Sequence, residues 1–76
     1  MKNRVVTVAE IGTAVRNKRR EDGLTLAEAA ALCGVGYRFM SDLENGKQTM
    51  QIGKVLKVLT ALGLDMTVEA RKWPNE

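Results

Sequence analysis

Residue types that build chemical sites are scarce in this chain. Its 76 residues include no histidine and a single cysteine, Cys33, which excludes an intrachain disulfide and a histidine–cysteine zinc site. No nucleophile with a neighbouring base, phosphate loop or carboxylate pair stands in a recognisable setting. We therefore expect no enzyme, no metal and no cofactor. A core of this size gives only a few kcal/mol of net stability, so close helix packing or a second subunit has to help.

Long hydrophobic runs are also missing. No apolar stretch approaches the ~20 residues of a membrane helix, and residues 1–7 lack the pattern of a signal peptide. These absences predict a cytoplasmic protein with no membrane partner. Apolar residues make up 45% and charged residues 28% of the chain, a mix that is typical of one globular domain.

Positive charge is concentrated near the N-terminus. The net charge is +3, yet residues 1–20 hold six basic residues against Glu10 alone. A basic face of this kind suits a polyanion such as DNA. The alternative is an ordinary solvated helix face, and charge by itself does not separate the two.

Two capping boxes mark the starts of the first two helices. Thr7 precedes Glu10 by three residues, and Thr25 precedes Glu28 by the same interval. In a capping box the two side chains satisfy two backbone N–H groups that would otherwise lack partners. Glycines and apolar spacing then predict an all-α bundle of four to five short helices, the first four at about 8–21, 26–33, 37–44 and 50–62. The apolar positions expected to face inward in these four helices are Val8, Ile11, Val15, Met40, Leu43, Ile52, Val55, Leu56, Leu59 and Leu62.

The last segment changes its period. From Leu64 onward apolar and polar residues alternate, which predicts a β-strand of about eight residues. A strand needs a partner, and the candidates are residues 4–7 or the same strand of a second copy. We favour the second copy because residues 4–7 are so few. This divides the chain into a helical domain at 1–64 and a dimerisation tail at 65–76, with dimer contacts at Met66, Val68, Ala70 and Trp73. Trp73 has an alternative role as the anchor for a partner protein.

The second and third helices have the spacing of a helix-turn-helix motif, with Gly34-Val35-Gly36 between them. In that motif the second helix lies in the major groove with its N-terminal residues at base edges. Arg38 is the first candidate, since an arginine can bond guanine at two atoms for about 1–3 kcal/mol of discrimination. Its alternative is a phosphate contact. Thr25 stands at a helix N-terminus that suits a phosphate, and Arg16 lies on the basic face of the first helix.

Particular residues within 11–63 resemble the phage-repressor-like (Cro/C1, or XRE) helix-turn-helix family. The matching residues are Gly23-Leu24-Thr25, Glu28, Ala30, Gly34-Val35, Ser41 and Leu43-Glu44-Asn45-Gly46-Lys47. The resemblance implies a lambda-repressor-like bundle and a transcriptional repressor that binds double-stranded DNA at a palindromic operator. It also places Cys33 at a core position.

The resemblance also implies roles for single residues. Tyr37 and Asp42 join Arg38 as base-reading residues, and Arg19 forms an ion pair with Glu44. Asp42 has two alternatives, which are to exclude wrong sequences or to pair with Arg38 when DNA is absent. Contacts to DNA phosphates are assigned to Arg16, Thr25, Ser41, Asn45 and Lys47.

A narrower resemblance covers the end of the chain. Residues 55–59, Leu62, Leu64 and Met66-Thr67-Val68 are similar to the end of HipB-type antitoxins. Those are dimeric repressors that pair C-terminal strands, repress their own operon and bind a HipA-type kinase toxin. The implied function is the antitoxin of such an operon. One alternative is a stand-alone or phage-type repressor. Another is a protein-binding module without sequence readout, which Leu26, Gly36 and Asp42 favour; at Leu26 the family usually has glutamine.

Overall fold

Four helices account for most of the part of the chain that the structure describes, which is residues 7–68 and residue 70. In this computed structural model they are α1 (Val8–Glu21), α2 (Leu26–Cys33), α3 (Tyr37–Glu44) and α4 (Ile52–Ala61). The predicted all-α bundle is confirmed, with four helices in the described residues. None of these helices is long and apolar enough to cross a membrane.

The first two helices begin at the threonines that the capping signals predicted. At α1 the Thr7 hydroxyl accepts from the Glu10 N–H at 3.2 Å and lies 3.0 Å from Glu10 Oε1. At α2 the box is complete: the Glu28 N–H donates to Thr25 Oγ1 at 3.1 Å, and the Thr25 N–H donates to Glu28 Oε1 at 2.8 Å. These bonds fix the start of α2 beside the turn that follows α1.

The capping box of α2 makes the stability of the protein depend on pH. The backbone N–H and then the hydroxyl of Thr25 hold the pKa of Glu28 below its ordinary value. A lowered folded-state pKa gives stability that is present above the unfolded pKa and is lost as the pH falls through the folded value. We expect Glu28→Gln to lower Tm near neutral pH, and its difference from wild type to shrink in acid. Thermal melts from about pH 7 to about pH 3 check this, and a difference that stays constant would contradict it.

A left-handed glycine sets the turn between α2 and α3. Gly34 has a φ of 69°, a region that residues with a Cβ rarely adopt. The Val35 N–H donates to the Ala30 carbonyl at 3.0 Å, which closes the end of α2. The chain therefore reverses within three residues and packs α3 against α2.

The core lies between all four helices. Val15, Ala29, Met40, Leu43 and Val58 are 0% exposed, and Cys33 is 1% exposed. Burial confirms the inward assignments of Val15, Met40, Leu43, Val55, Leu59 and Leu62, with Val8 and Ile11 partly buried against the core.

Two of the residues predicted to face inward lie on the surface of α4. Ile52 is 58% exposed and Leu56 is 44% exposed, whereas Val58, which was not assigned inward, is fully buried. Apolar side chains cover much of the circumference of α4, so the spacing alone leaves more than one stripe available. Packing selects the stripe that contains Val55, Val58, Leu59 and Leu62.

The prediction of a C-terminal strand is not supported by the structure. Residues 64–68 and 70 adopt neither helix nor strand. Strand geometry needs a hydrogen-bonded neighbour, and no strand lies elsewhere in the described residues to supply one. Leu64 packs against the core, but Met66 and Val68 are 41% and 93% exposed. Trp73 and residues 4–6, the predicted dimer contact and the alternative strand partner, lie outside the described part.

A glycine that the sequence analysis did not single out lets α1 cross the end of α3. Gly12 is buried in α1, and a Cβ added there would overlap the Leu43 carbonyl oxygen and lie 3.1 Å from the Glu44 carbonyl oxygen. The two backbones meet without an intervening side chain. This close approach brings basic side chains of α1 to the C-terminus of α3.

Candidate nucleic-acid interface

One face of α3 is buried and the opposite face is presented to solvent. Met40 and Leu43 fill the core, while Tyr37 is 59% exposed and the Arg38 side chain is 89% exposed. Phe39 is partly buried against the core, with Lys54 Nζ 5.7 Å from its ring centroid. The helix therefore offers an aromatic hydroxyl and a guanidinium near its N-terminus.

Asp42 lies between two cations on this exposed face. Its Oδ1 is 3.4 Å from Arg38 Nε, and its Oδ2 is 3.5 Å from Lys47 Nζ. Both distances are long for ion pairs, and exposed pairs of this kind contribute little free energy. Arg38 and Lys47 can consequently leave Asp42 for another anion at small cost. The i, i+4 pairing of Arg38 with Asp42 is one of the alternatives raised from the sequence.

Glu44 is a buried carboxylate at the end of α3, with its side chain only 3% exposed. Arg19 of α1 binds it at two points, with Nε 2.7 Å from Oε2 and Nη2 3.0 Å from Oε1. A third donor, Arg19 Nη1, bonds the Leu24 carbonyl at 2.9 Å. The hydrogen bonding that Arg19 donates to the Glu44 carboxylate is the main cause that raises the pKa of Arg19. This pair ties α1 to both the end of α3 and the start of α2.

Arg16, which was predicted to lie on an exposed basic face, also contacts Glu44 and is only partly exposed. Its Nε lies 3.3 Å from Glu44 Oε1, and its Nη2 bonds the Glu44 carbonyl at 3.3 Å and Asn45 Oδ1 at 3.0 Å. Its side chain is 38% exposed. We call Arg16, Arg19, Glu44 and Asn45 the Glu44 cluster. The Arg16 contacts were not predicted from the sequence, because they join residues that lie 28 and 29 positions apart in the chain.

The structure places the predicted phosphate-binding residues at different points of the surface and does not bring all of them together. Ser41 and Asn45 meet at one point, with Asn45 Nδ2 3.5 Å from Ser41 Oγ. Lys47 lies with Asp42, and Thr25 caps α2. Ser41 and the Glu44 cluster line a surface depression together with Arg20 and Leu26. The apolar Leu26 thus forms part of the wall at the position where the resembling family has glutamine.

Cys33 is a core residue. Burial raises the pKa of its thiol, and Sγ lies 3.9 Å from the Val58 carbonyl oxygen. A thiol of this kind is poorly ionised and shielded from solvent. Among the residues that the structure describes, no group of three histidine, cysteine, aspartate or glutamate side chains is arranged to hold a metal ion.

The geometry of α2, the glycine turn and α3 is that of a helix-turn-helix unit. A family model described as a helix-turn-helix domain matches residues 10–73. The chain therefore belongs to the helix-turn-helix domain family.

Individual relatives agree with this family. The chain is 50% identical over 70 residues, which is 92% of each protein, to y4mF, an uncharacterised HTH-type transcriptional regulator of Sinorhizobium fredii. Among solved structures, it is similar to HipB in a complex with a 20mer designated O2, with a TM-score of 0.80 and 25% identity over 95% of this chain and all of the other. A HipA–HipB complex with O2 and O3 matches with a TM-score of 0.80 and 24% identity over 93% of this chain and all of the matched chain.

Proposed function

We propose that this protein is a sequence-specific DNA-binding transcriptional repressor with no catalytic role. The observation that carries the proposal is the exposed face of α3, on which Arg38 is 89% exposed beside Tyr37 while Met40 and Leu43 hold the helix from behind. A helix presented in this way suits the major groove of DNA. A regulator 50% identical to this chain and the HipB complex with a 20mer support the same function.

The residues of the interface take different tasks in this proposal. Tyr37, Arg38 and Asp42 face the base edges, and Asp42 accepts from cytosine or disfavours sequences that lack a suitable donor. Thr25, Ser41, Asn45 and Lys47 bind phosphates, which fix the register of the helix in the groove. The pairing of Asp42 with Arg38 and Lys47 holds both cations near the interface before DNA arrives.

Selection of bound duplexes from a random DNA library, repeated at two salt concentrations, tests the proposed function. We expect a recovered palindrome whose half-sites are about one helical turn apart. Binding that vanishes at the higher salt without any enriched sequence would mean phosphate attraction only. In that case the alternative hypothesis of a protein-binding module, which Leu26, Gly36 and Asp42 favour, would replace the repressor.

If Arg38 reads a base and Lys47 binds a phosphate, replacing each by alanine is expected to change DNA binding in a different way. Arg38→Ala is expected to relax specificity at one base pair and to cost about 1–3 kcal/mol on the preferred sequence. Lys47→Ala is expected to weaken all sequences alike and to reduce the slope of log K against log salt by about one. Titrations of each variant against the preferred and mismatched duplexes check both. Equal losses on every sequence for Arg38→Ala would show that it reads no base.

We also propose a homodimer held by the C-terminal tail. The support is the exposure of Met66 and Val68, at 41% and 93%, in an alternating segment that lies on the surface of the single chain. Burying them against a second copy would remove apolar surface from water. Sedimentation at micromolar concentration is expected to give a dimer, and truncation after Leu64 is expected to give a folded monomer. A truncated chain that stays dimeric would refute the role of the tail.

The most specific form of the proposal is an antitoxin that represses its own operon and binds a HipA-type kinase. The similarity of residues 55–68 to the end of HipB-type antitoxins supports it. The neighbouring reading frame separates this form from a stand-alone repressor. A kinase-like protein encoded there that co-purifies with this chain would establish the antitoxin, and its absence would leave the simple repressor.

A further inference from the structure

We propose that Arg16 is a positioning residue, which orients the side-chain amide of Asn45 so that its Nδ2 donates to a DNA phosphate. The proposal rests on the proposed function, in which Asn45 and Ser41 bind the DNA backbone. It replaces the direct phosphate contact that the sequence suggested for Arg16.

The carboxylate and the backbone carbonyl of Glu44 hold the Arg16 guanidinium in place. Glu44 is 3% exposed and is fixed by the two bonds from Arg19 at 2.7 and 3.0 Å. Arg16 Nε bonds the same carboxylate at 3.3 Å, and Nη2 bonds the Glu44 carbonyl at 3.3 Å. A carboxylate on one side and a backbone carbonyl on the other leave the guanidinium little freedom to rotate. Its remaining contact, to Asn45 Oδ1 at 3.0 Å, is therefore made from a rigid support.

The chemistry of the guanidinium decides which way the Asn45 amide faces. A guanidinium has only donors, so the atom that meets it has to be the acceptor Oδ1 and not the NH2 group. The Nδ2 group then points away from Arg16, and it lies 3.5 Å from Ser41 Oγ. Because Nδ2 engages the oxygen of Ser41 as an acceptor, the Ser41 O–H is left to donate elsewhere. The second hydrogen of Nδ2 and the Ser41 O–H are then both available to an acceptor that lies beside them.

A DNA phosphate needs this orientation. Its oxygens accept hydrogen bonds and donate none, so a flipped amide would present Oδ1 to a negative group. The cluster also places two guanidinium groups against one carboxylate, which leaves one net positive charge behind Asn45 and Ser41. Arg16 thereby strengthens a phosphate contact without making it.

The competing explanation is that Arg16 itself attracts the phosphate by its charge. Arg16→Lys separates the two, because lysine keeps the charge but not the planar fork that bonds Glu44 and Asn45 together. Arg20→Lys is the matched control. Arg20 lines the same depression and undergoes the same chemical change, and the structure gives it no bond to Asn45.

The experiment measures Kd for a labelled duplex of mixed sequence, about 30 base pairs long, at one low salt concentration, since phosphate contacts do not depend on sequence. We expect Arg16→Lys and Asn45→Ala each to weaken binding about tenfold, the size of one hydrogen bond to a charged group. The double variant is expected to be no weaker than Asn45→Ala, and Arg20→Lys to bind like wild type. Three results would each overturn the positioning role. They are wild-type affinity for Arg16→Lys, wild-type affinity for Asn45→Ala, and a double variant that binds about a hundredfold more weakly than wild type.

The variant Asn45→Asp separates a loss of DNA binding from a loss of folding. Asn45→Asp still accepts from Arg16 but places an acceptor where Nδ2 stood, so we expect Tm to be retained while binding weakens more than in Asn45→Ala. Asn45→Asp that binds as tightly as wild type would contradict the inference. A wild-type chain that binds no duplex would overturn the proposed function and this inference with it. Wild-type binding combined with any contrary result above would overturn the inference alone.

Discussion

Gly12→Ala is expected to lower the free energy of unfolding by about 3 kcal/mol or more. A domain this small has only about 3–5 kcal/mol of net stability, so most molecules of the variant would be unfolded. The added Cβ would overlap the Leu43 carbonyl oxygen and press on the Glu44 carbonyl. Both obstacles are backbone atoms, which cannot rotate away as a side chain can. The crossing of α1 and α3 would have to open, and the core contacts of Val15, Met40 and Leu43 would loosen with it.

Gly53→Ala is the matched control, because Gly53 also lies inside a helix but has no atom within 4 Å of an added Cβ. Because Gly53 is the second residue of α4, alanine there is expected to stabilise the protein by less than the ~1 kcal/mol that separates it from glycine in a helix interior. Urea unfolding of the wild type and of both glycine variants, monitored by circular dichroism, measures the two changes in unfolding free energy. Equal stability of the Gly12 and Gly53 variants would show that α1 and α3 do not touch closely at Gly12.

Arg19→Ala is the second change with a large expected effect, a loss of about 3 kcal/mol. The Glu44 side chain, which is 3% exposed in the wild type, would keep only the 3.3 Å contact from Arg16 Nε to compensate its charge. The Leu24 carbonyl would also lose its bond from Arg19 Nη1. The remaining Arg16 pair is the reason to place the loss at the lower end of the range for a broken buried ion pair.

Lys18→Ala controls for the loss of one positive charge on the same helix. Lys18 pairs with Asp22 at 2.8 Å on the surface, and this hydrogen bond is the main cause that raises the pKa of Lys18. Exposed pairs contribute little, so we expect almost no change in Tm. Arg19→Gln is a second variant that keeps hydrogen-bonding capacity without charge. If Arg19→Ala melts like Lys18→Ala, the Glu44 cluster does not stabilise the fold.

The helix boundaries were predictable because their signals are local. Thr25 and Glu28 cap α2, and Gly34 ends it at a φ of 69°, so the spans Leu26–Cys33 and Tyr37–Glu44 match the predictions. Neighbouring residues contain all the information that a cap or a tight turn needs. The strand predicted from Leu64 depended on a distant partner, and in the described residues it is not formed.

Only part of the candidate site could be predicted from the sequence. Tyr37 and Arg38 lie on the solvent face of α3. Arg38 was predicted from its place near the N-terminus of that helix, and Tyr37 from the resemblance to a family. The resemblance to a family, and not spacing, suggested that Arg19 and Glu44 belong together. The turn of Arg16 toward Glu44 and Asn45 was missed, because a basic residue on a helix gives no sign of a partner 28 residues away.

The sequence by itself determined where α2 and α3 begin and end, the position of the turn between them, and which residues of α3 can meet solvent. The fourth helix was predicted at about 50–62 and is shorter at both ends, Ile52–Ala61, where its N-terminus has no side-chain cap. The tertiary structure decided which stripe of α4 is buried, that α1 crosses α3 at Gly12, and that Arg16 faces Asn45. Caps and turns depend on interactions within four or five residues. The other three features depend on the rotation and crossing of whole helices, which only the packing of the complete core fixes.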